Sequence, residues 1–495
     1  MRFWTPSLVI ATLLVGCSLN RTPILPDVGL DGGDAGMDAG RDAPMIDGGP
    51  DDANADTPDG GGIDADLDAS IDDTGIDAPT DTGVDAPTDT GVDAPTDTGI
   101  DAPCVTRCSD PMTLTTCAGA VETVETCELG CYATPAPHCA SMVPANVGNT
   151  WETFTPLGAV TVTALERINT TMCIWDRATD LTGSIRSADS GGNVCLFVVS
   201  SLDVQAMGIV HASGNLALII ISTGDITIAG AIGVDSARSS TLFVGGIAGA
   251  GPRGPAAGNG GSSGIDDGGG GGGGFGGAGG PGGTGGASGT AGPARVSGLL
   301  PLIGGSAGGL GAGPSSAAGG AGGGTMQLTA LGRMTVRGYV GASGSGGSAG
   351  VVEFARSGAG GGGGSGGGIL LEAVTFSLEA GVINIAGGGG GASSCPSDGG
   401  SAGADGIDAP TARAAGGPRS CGTYSADGGA GSGGGQQTGD AGSNNDNGGG
   451  GGGGAGRVVF RTPNSTLDLS AAATTLNPTF ATSAALYVVS DISRR

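Results

Sequence analysis

The chain has no lysine: all 19 of its basic residues are arginine. Schiff-base chemistry and the phosphate-loop lysine are therefore excluded. Histidine is nearly absent too, with only His138 and His211. Aromatic residues make up 3% and charged residues 13%, the latter about half the usual share. A core must then come from Val, Ile, Leu and Ala. The net charge of −28 offers no basic stripe to neutralise phosphates, so nucleic acid is not an expected partner. The same charge opposes attraction to an anionic lipid surface. What the chain has in excess is glycine, 110 of 495 residues, roughly three times the usual proportion.

The N-terminus reads MRFWTPSLVIATLLVGC, with one arginine followed by the apolar run Leu8–Val15. That run is far short of the about 20 residues that span a bilayer and has the shape of a secretory signal over residues 1–16. Leu14-Val15-Gly16-Cys17 resembles the bacterial lipobox, which implies cleavage before Cys17 and lipidation of that cysteine. By the same resemblance, Ser18 after it implies the outer membrane. Acyl chains there would anchor the protein without a spanning helix, making the membrane a partner through the lipid alone.

Residues 17–103 are predicted to be a disordered spacer. Between Pro26 and Pro103 there are 22 Asp and one basic residue, Arg41, and DAPTDTG[VI] repeats start at Asp77, Asp85 and Asp93. One-sided charge with few apolar groups cannot offset chain entropy, and the repeated proline stiffens what remains. Asp64, Asp66 and Asp68 imitate the start of a calcium loop. The glycine and the bidentate glutamate such a loop needs are replaced by Ala69 and Gly75, so no metal site is assigned.

Residues 104–140 form a cysteine-rich module with Cys104, Cys108, Cys117, Cys127, Cys131 and Cys139. In an exported chain this spacing indicates three disulfides, in any of about fifteen connectivities. A zinc site using His138 beside Cys139 is the weaker alternative, because the compartment is oxidising. Cys173 with Cys195, and Cys395 with Cys421, are the remaining pairs expected to close loops of the later domain.

Five stretches repeat one phrase, an apolar strand followed by an alternating strand. They begin at Cys195, Leu216, Met326, Ile369 and Arg457. A unit of about 20 residues that cannot bury its own apolar face marks a stacked solenoid. The second strands align as Leu202/Val204, Ile226/Ile228, Met334/Val336, Phe376/Leu378 and Leu467/Leu469, with Asp203, Thr227, Thr335, Ser377 and Asp468 at the outward positions. A third short alternation follows in the first four units. Hairpin turns of the Asn-Gly or Asp-Gly type are missing between the strands of these units, which disfavours an antiparallel sandwich. The expected fold is all-β, a parallel β-helix over residues 191–470. An N-terminal cap is placed at 141–190 and a C-terminal tail at 471–495.

Glycine-rich insertions interrupt the solenoid at 237–324, 343–368 and 387–454. In the first, Gly277, Gly280, Gly283, Gly286, Gly289 and Gly292 recur every third residue, matching an extended polyproline II helix. Two readings stay open, a packed bundle of such helices or flexible loops. The apolar island Leu299–Ile303 is expected to pack back on the body.

The order of lipobox, Asp-rich spacer, short cysteine module and phrases such as LIIISTGDITIAGAI and GGGILLEAVTFSLEAGVINIAGGGGG resembles the glycine-rich, cysteine-module surface lipoproteins of myxobacteria, often labelled PE-PGRS-like. The amino-terminal domain proper to PE-PGRS proteins is missing, and the resemblance implies no activity.

Chemistry-bearing motifs are weak. Two G-x-S-x-G matches, at Ser306 and Ser365, lie in glycine tracts rather than at a strand-to-helix turn. His211 falls where other units place Val or Ala, which makes it a tolerated rung-end residue. Asp203 and Asp468 could serve a carbohydrate-active face, but hydroxyl residues stand between them in the register. The expectation is a non-enzymatic, lipid-anchored structural or adhesive protein of the cell surface, using no cofactor and no metal. Its partner would be an extracellular glycan or a surface protein. The alternative is a glycan-binding or glycan-cleaving β-helix of the cell envelope.

Overall fold

The computed structural model describes residues 104–119, 121–237, 258–262, 266–295, 298–469 and 472–495. The signal segment, Cys17 and the acidic spacer lie outside the described residues. The described chain is all-β with large parallel sheets.

Three ladders of parallel strands stack in register. The first joins Asn193–Val199, Ala217–Ser222, the first halves of Thr325–Val336 and Gly368–Leu378, Arg457–Arg461 and Tyr487–Ser490. Ala159–Val162, Ser201–Val204, Ile226–Ile228 and the second halves of the same two long strands make the second. In the third, Leu165–Asn169, Ile209–Ser213, Ala231–Gly233, Tyr339–Gly341, Val382–Asn384 and Thr475–Asn477 follow one another. Because side chains alternate along a strand, each ladder points one row of apolar residues to the same side. Those rows meet in one cluster, with Phe197, Ile220, Leu328, Leu371 and Phe460 from the first ladder, Leu202 and Ile226 from the second, and Val210, Ile232 and Ile383 from the third. Trp175, set edge-on to Phe197 with ring centroids 5.6 Å apart, lies in the same cluster.

The first ladder buries its other face as well. Leu196, Val198, Ile219, Ile221 and Leu370 pack there against Val147, Phe275, Leu299 and Leu302. Strands covered on both faces need no polar alternation, which is why this ladder contains the run LALIII. The island at Leu299–Ile303 does pack back on the body.

Three boundaries differ from the sequence-based expectation. The segment expected as a cap supplies the first members of the second and third ladders, Ala159–Val162 and Leu165–Asn169. The segment expected as a tail supplies Thr475–Asn477 and Tyr487–Ser490. Its last strand, Ser493–Arg494, pairs antiparallel with Met142–Val143. In the fifth unit Leu467 and Leu469 form no strand. The chain enters a short 3-10 turn at Pro463–Ser465, where Asn464 and Ser465 have positive φ, and proline has no N–H for a ladder. Leu469 still reaches the core.

Of the two readings of the glycine insertions, the described parts follow the packed one. Segment 360–367 shows the rule. The N–H groups of Gly360, Gly363 and Gly366 donate to the carbonyls of Gly448, Gly451 and Gly454. Those of Gly361, Gly364 and Gly367 donate to Ser348, Ser345 and Ala342, and those of Gly362 and Ser365 to Gly309 and Ser306. Its carbonyls accept from Gly270 and Gly273, from Gly320 and Gly323, and from Gly388 and Gly391. One extended segment is thus bonded to six neighbours, each met every third residue. A polyproline II chain has no internal hydrogen bonds, so lateral bonding is the way its buried backbone is satisfied. Glycine serves here by lacking a side chain: none of the glycines in 360–367 has a positive φ, and a Cβ on any of them would strike a neighbour's backbone. At the bundle's edge the requirement relaxes, so in 279–285 the third-position residues Pro281 and Thr284 are exposed.

The cysteine module closes with Cys104–Cys117, Cys108–Cys131 and Cys127–Cys139. The later pairs are Cys173–Cys195 and Cys395–Cys421. The first of these ties the antiparallel start of the body to the first ladder. The second joins two turns of the glycine bundle.

Candidate functional site

The row expected to carry carbohydrate chemistry aligns Thr161, Asp203, Thr227, Thr335 and Ser377. Asp203 is its one carboxylate. Asp468 lies beyond the last strand of that ladder, in no strand, so the structure does not bring the two acids into one register.

A denser polar arrangement lies on the outward side of the third ladder, where Arg167, His211, Gly233, Gly341, Asn384 and Asn477 share one register position. Asp235, just past the strand Ala231–Gly233, fills the space over the two glycines. A Cβ on Gly233 or on Gly341 would collide with its Oδ2. The buried Oδ1 accepts from the Ser343 N–H at 2.7 Å, the Ser343 hydroxyl at 2.6 Å and the Tyr339 hydroxyl at 2.9 Å. Oδ2 has no partner among the described residues. Burial pushes the Asp235 carboxyl up to about 6, although the Ser343 and Tyr339 hydrogen bonds hold it down in part. Asn384 Nδ2 donates to Tyr339 Oη and to the Gly406 carbonyl, and Asn477 Nδ2 to Asn384 Oδ1. His211 is buried, with Nε2 3.1 Å from the Asp235 carbonyl. Burial lowers its pKa. It is a packed member of this row, but it sits in the middle of Ile209–Ser213 rather than at a rung end. Its register partners in the later turns are glycine and asparagine, not the Val or Ala expected from the sequence, because the inward residues of this strand are Val210 and Ala212. Ser236 Oγ donates to the Gly322 carbonyl, so the arrangement joins the third ladder to the glycine bundle.

A second buried cluster lies under residues 143–148. Glu372, fully buried, accepts from Thr329 Oγ1 and Gln327 Nε2 at 2.8 Å, from the Ala145 N–H, and from Arg461 at 2.8 Å. Burial raises the Glu372 carboxyl, opposed chiefly by Arg461. Sequence reading missed both clusters, because their members are single polar residues at positions alternation assigns to solvent.

The other candidate residues separate. His138 sits in the cysteine module with Nδ1 against the Ala136 carbonyl, beside a cavity of about 570 Å³ lined by Tyr132, Thr134, Ser141 and Arg495. Cys139, its neighbour, is bonded to Cys127 and offers no thiolate. Cys104, Cys117 and Glu122 come within metal-ligand distance of one another, but the two sulfurs are bonded together. Ser306 and Ser365 of the G-x-S-x-G matches are buried in the bundle and bonded to each other, the Ser306 N–H donating to Ser365 Oγ at 2.8 Å. A cavity of about 540 Å³ beside Ser190–Val194 and Pro301–Ile303 holds no titratable side chain. No described helix is long and apolar enough to cross a membrane. No family model, no curated protein and no solved structure matches the chain.

Proposed function

We propose that the protein is a non-enzymatic, lipid-anchored structural or adhesive protein of the bacterial cell surface. In this reading the three ladders are the faces of one closed parallel β-helix, and the glycine bundle is a rigid body held beside it. The observation that carries the reading is the glycine bundle itself. Its buried backbone is bonded to other segments of the same chain, and the described polar clusters tie ladder to bundle or brace the ladder from outside. Such an arrangement spends its polar groups on rigidity. The five disulfides support an exported, oxidising location. Lipidation at Cys17, the outer-membrane address, the spacer role of residues 17–103 and membership of the myxobacterial-type surface lipoproteins belong to the same proposal. Glycan binding remains consistent with it. Glycan cleavage draws no support from Asp203, alone in its row.

Labelled palmitate fed to expressing cells tests the anchor. Incorporation into the wild-type chain, lost in Cys17→Ala, together with protease digestion of the body on intact cells, is the expected result. An unlabelled chain, or a body protected until the outer membrane is opened, would overturn the surface assignment.

A further inference from the structure

Several bundle segments reverse at the end away from the ladders. The chain leaves the third ladder near Ala342, turns at 351–357 and comes back at Gly367. The neighbouring turns are 311–317, tied by Ser315 to Glu353, and 395–398, whose flank donates from Ser394 Oγ to the Val351 carbonyl. The Cys395–Cys421 bridge adds the turn 420–425. Several turns thus meet on one rigid end.

That end carries some of the most exposed apolar groups described. Phe354 is 90% exposed and Tyr424 65%, with Val351, three residues before Phe354, at 45%. Phe354 has φ 49 and Ala355 φ 60, a conformation costly for a bulky side chain and free for glycine. In a chain with 110 glycines, a phenylalanine at such a position is an outlier that points to use rather than to folding. The rings stand on separate turns, and the exposed hydroxyls of Ser397, Ser420 and Thr423 lie on the two turns joined by the Cys395–Cys421 bridge. This surface therefore mixes ring and hydroxyl groups and is not the uniformly apolar patch of a protein interface. Charge at this end is mixed, with acids in slight excess. The Glu353 backbone pairs across its turn with that of Arg356, and the Asp427 carboxylate pairs with Arg419. Asp398 and Asp267, the latter within electrostatic reach of Arg356, leave an acidic excess that disfavours an anionic ligand.

We propose that this end of the bundle binds a neutral polysaccharide. The C–H face of a pyranose would pack on the Phe354 and Tyr424 rings, and the nearby hydroxyls would bond its rim. The proposal rests on the adhesive reading and names its site and ligand class. Water-excluding ring contacts with a few polar groups around them are the usual make-up of such recognition.

The test is retention of the full chain on immobilised dextran, laminarin and cellulose, with phosphatidylcholine vesicles alongside. Phe354→Gly removes the ring and relieves the backbone, so its fold is kept. Tyr424→Ala is the second variant, and Met207→Ala, exposed in the second-to-third ladder turn, is the control. We expect retention on at least one glucan, weakened about tenfold or more by each ring variant, as for truncation of an aromatic anchor, and unchanged by the control. Failure to bind any of the three glucans would overturn the proposal. Equal binding by the ring variants would also overturn it while leaving adhesion elsewhere on the body. Vesicle binding lost in the ring variants without glucan binding would replace the ligand with lipid. The adhesive reading fails separately, if cells lacking the protein adhere as the parent does.

Discussion

Gly363→Ala probes the glycine bundle at a buried position in its interior. The added methyl would stand 2.7 Å from the Gly388 carbonyl carbon and 2.8 Å from the Gly389 oxygen, and closer still to the Gly388 oxygen. Ordinary contact needs about 3.4 Å or more, so one segment must move by over half an ångström. The partner here is backbone, which cannot rotate away. The N–H of Gly363 is bonded to Gly451 and its carbonyl to Gly273, at 2.8 and 2.9 Å. Overpacking costs about 1–3 kcal/mol, and weakening two buried hydrogen bonds adds about 1 kcal/mol each. Alanine returns about 0.4–1 kcal/mol by restricting the unfolded chain. The net expectation is a loss of about 3 kcal/mol. Gly399→Ala is the control, because nothing lies within 4 Å of its added methyl and its φ is not positive. It should be neutral or slightly stabilising. Equilibrium urea unfolding compares the two midpoints. Equal midpoints for Gly363→Ala and Gly399→Ala would refute the close-packed bundle.

Two further outcomes follow from the buried carboxyls. Asp235 is raised from 3.8 to about 6, so the folded state binds its proton more tightly than the unfolded chain does. The stability this gives is fully present below pH 3.8 and is lost as pH rises through about 6, a swing of about 3 kcal/mol. Asp235→Asn should remove that part of the slope in urea midpoints measured from pH 3.5 to 7, and an unchanged slope would contradict the burial of this group. Arg461→Met leaves the Glu372 carboxylate buried without its cation and should cost about 3–5 kcal/mol near neutral pH. Glu372→Gln, which keeps an acceptor and carries no charge, should cost less in the same assay; the reverse order would contradict the pairing.

The second ladder was legible because the alternation of Leu202/Val204, Ile226/Ile228, Met334/Val336 and Phe376/Leu378 repeats over four successive turns. These pairs match because a stacked strand must place the same face inward each time. The members at Thr475–Asn477 and Tyr487–Ser490 escaped notice because strands of three and four residues carry little periodic signal. Leu467 and Leu469 misled in the opposite way: their pattern fits a strand, but Pro463 and the positive φ of Asn464 and Ser465 turn the chain first. The glycine runs could have been read further. An unbroken run such as Gly268–Gly274 is enclosed on every side, whereas a Gly-Gly-X run such as 279–284 has one open side. The polar clusters around Asp235 and Glu372 depend on segments far apart in the chain. No local pattern announces that residues 143–148 cover Glu372 or that Ser343 reaches Asp235.

Amide hydrogen exchange, followed by mass spectrometry over 268–274, 360–367, 387–391 and 448–456, measures the lateral bonding directly. The account predicts that these glycine amides, lacking any side chain to shield them, exchange as slowly as those of the strands Ala217–Ser222 and Gly368–Leu378. Exchange at the rate of an open chain in those four segments, with the strands still protected, would contradict it.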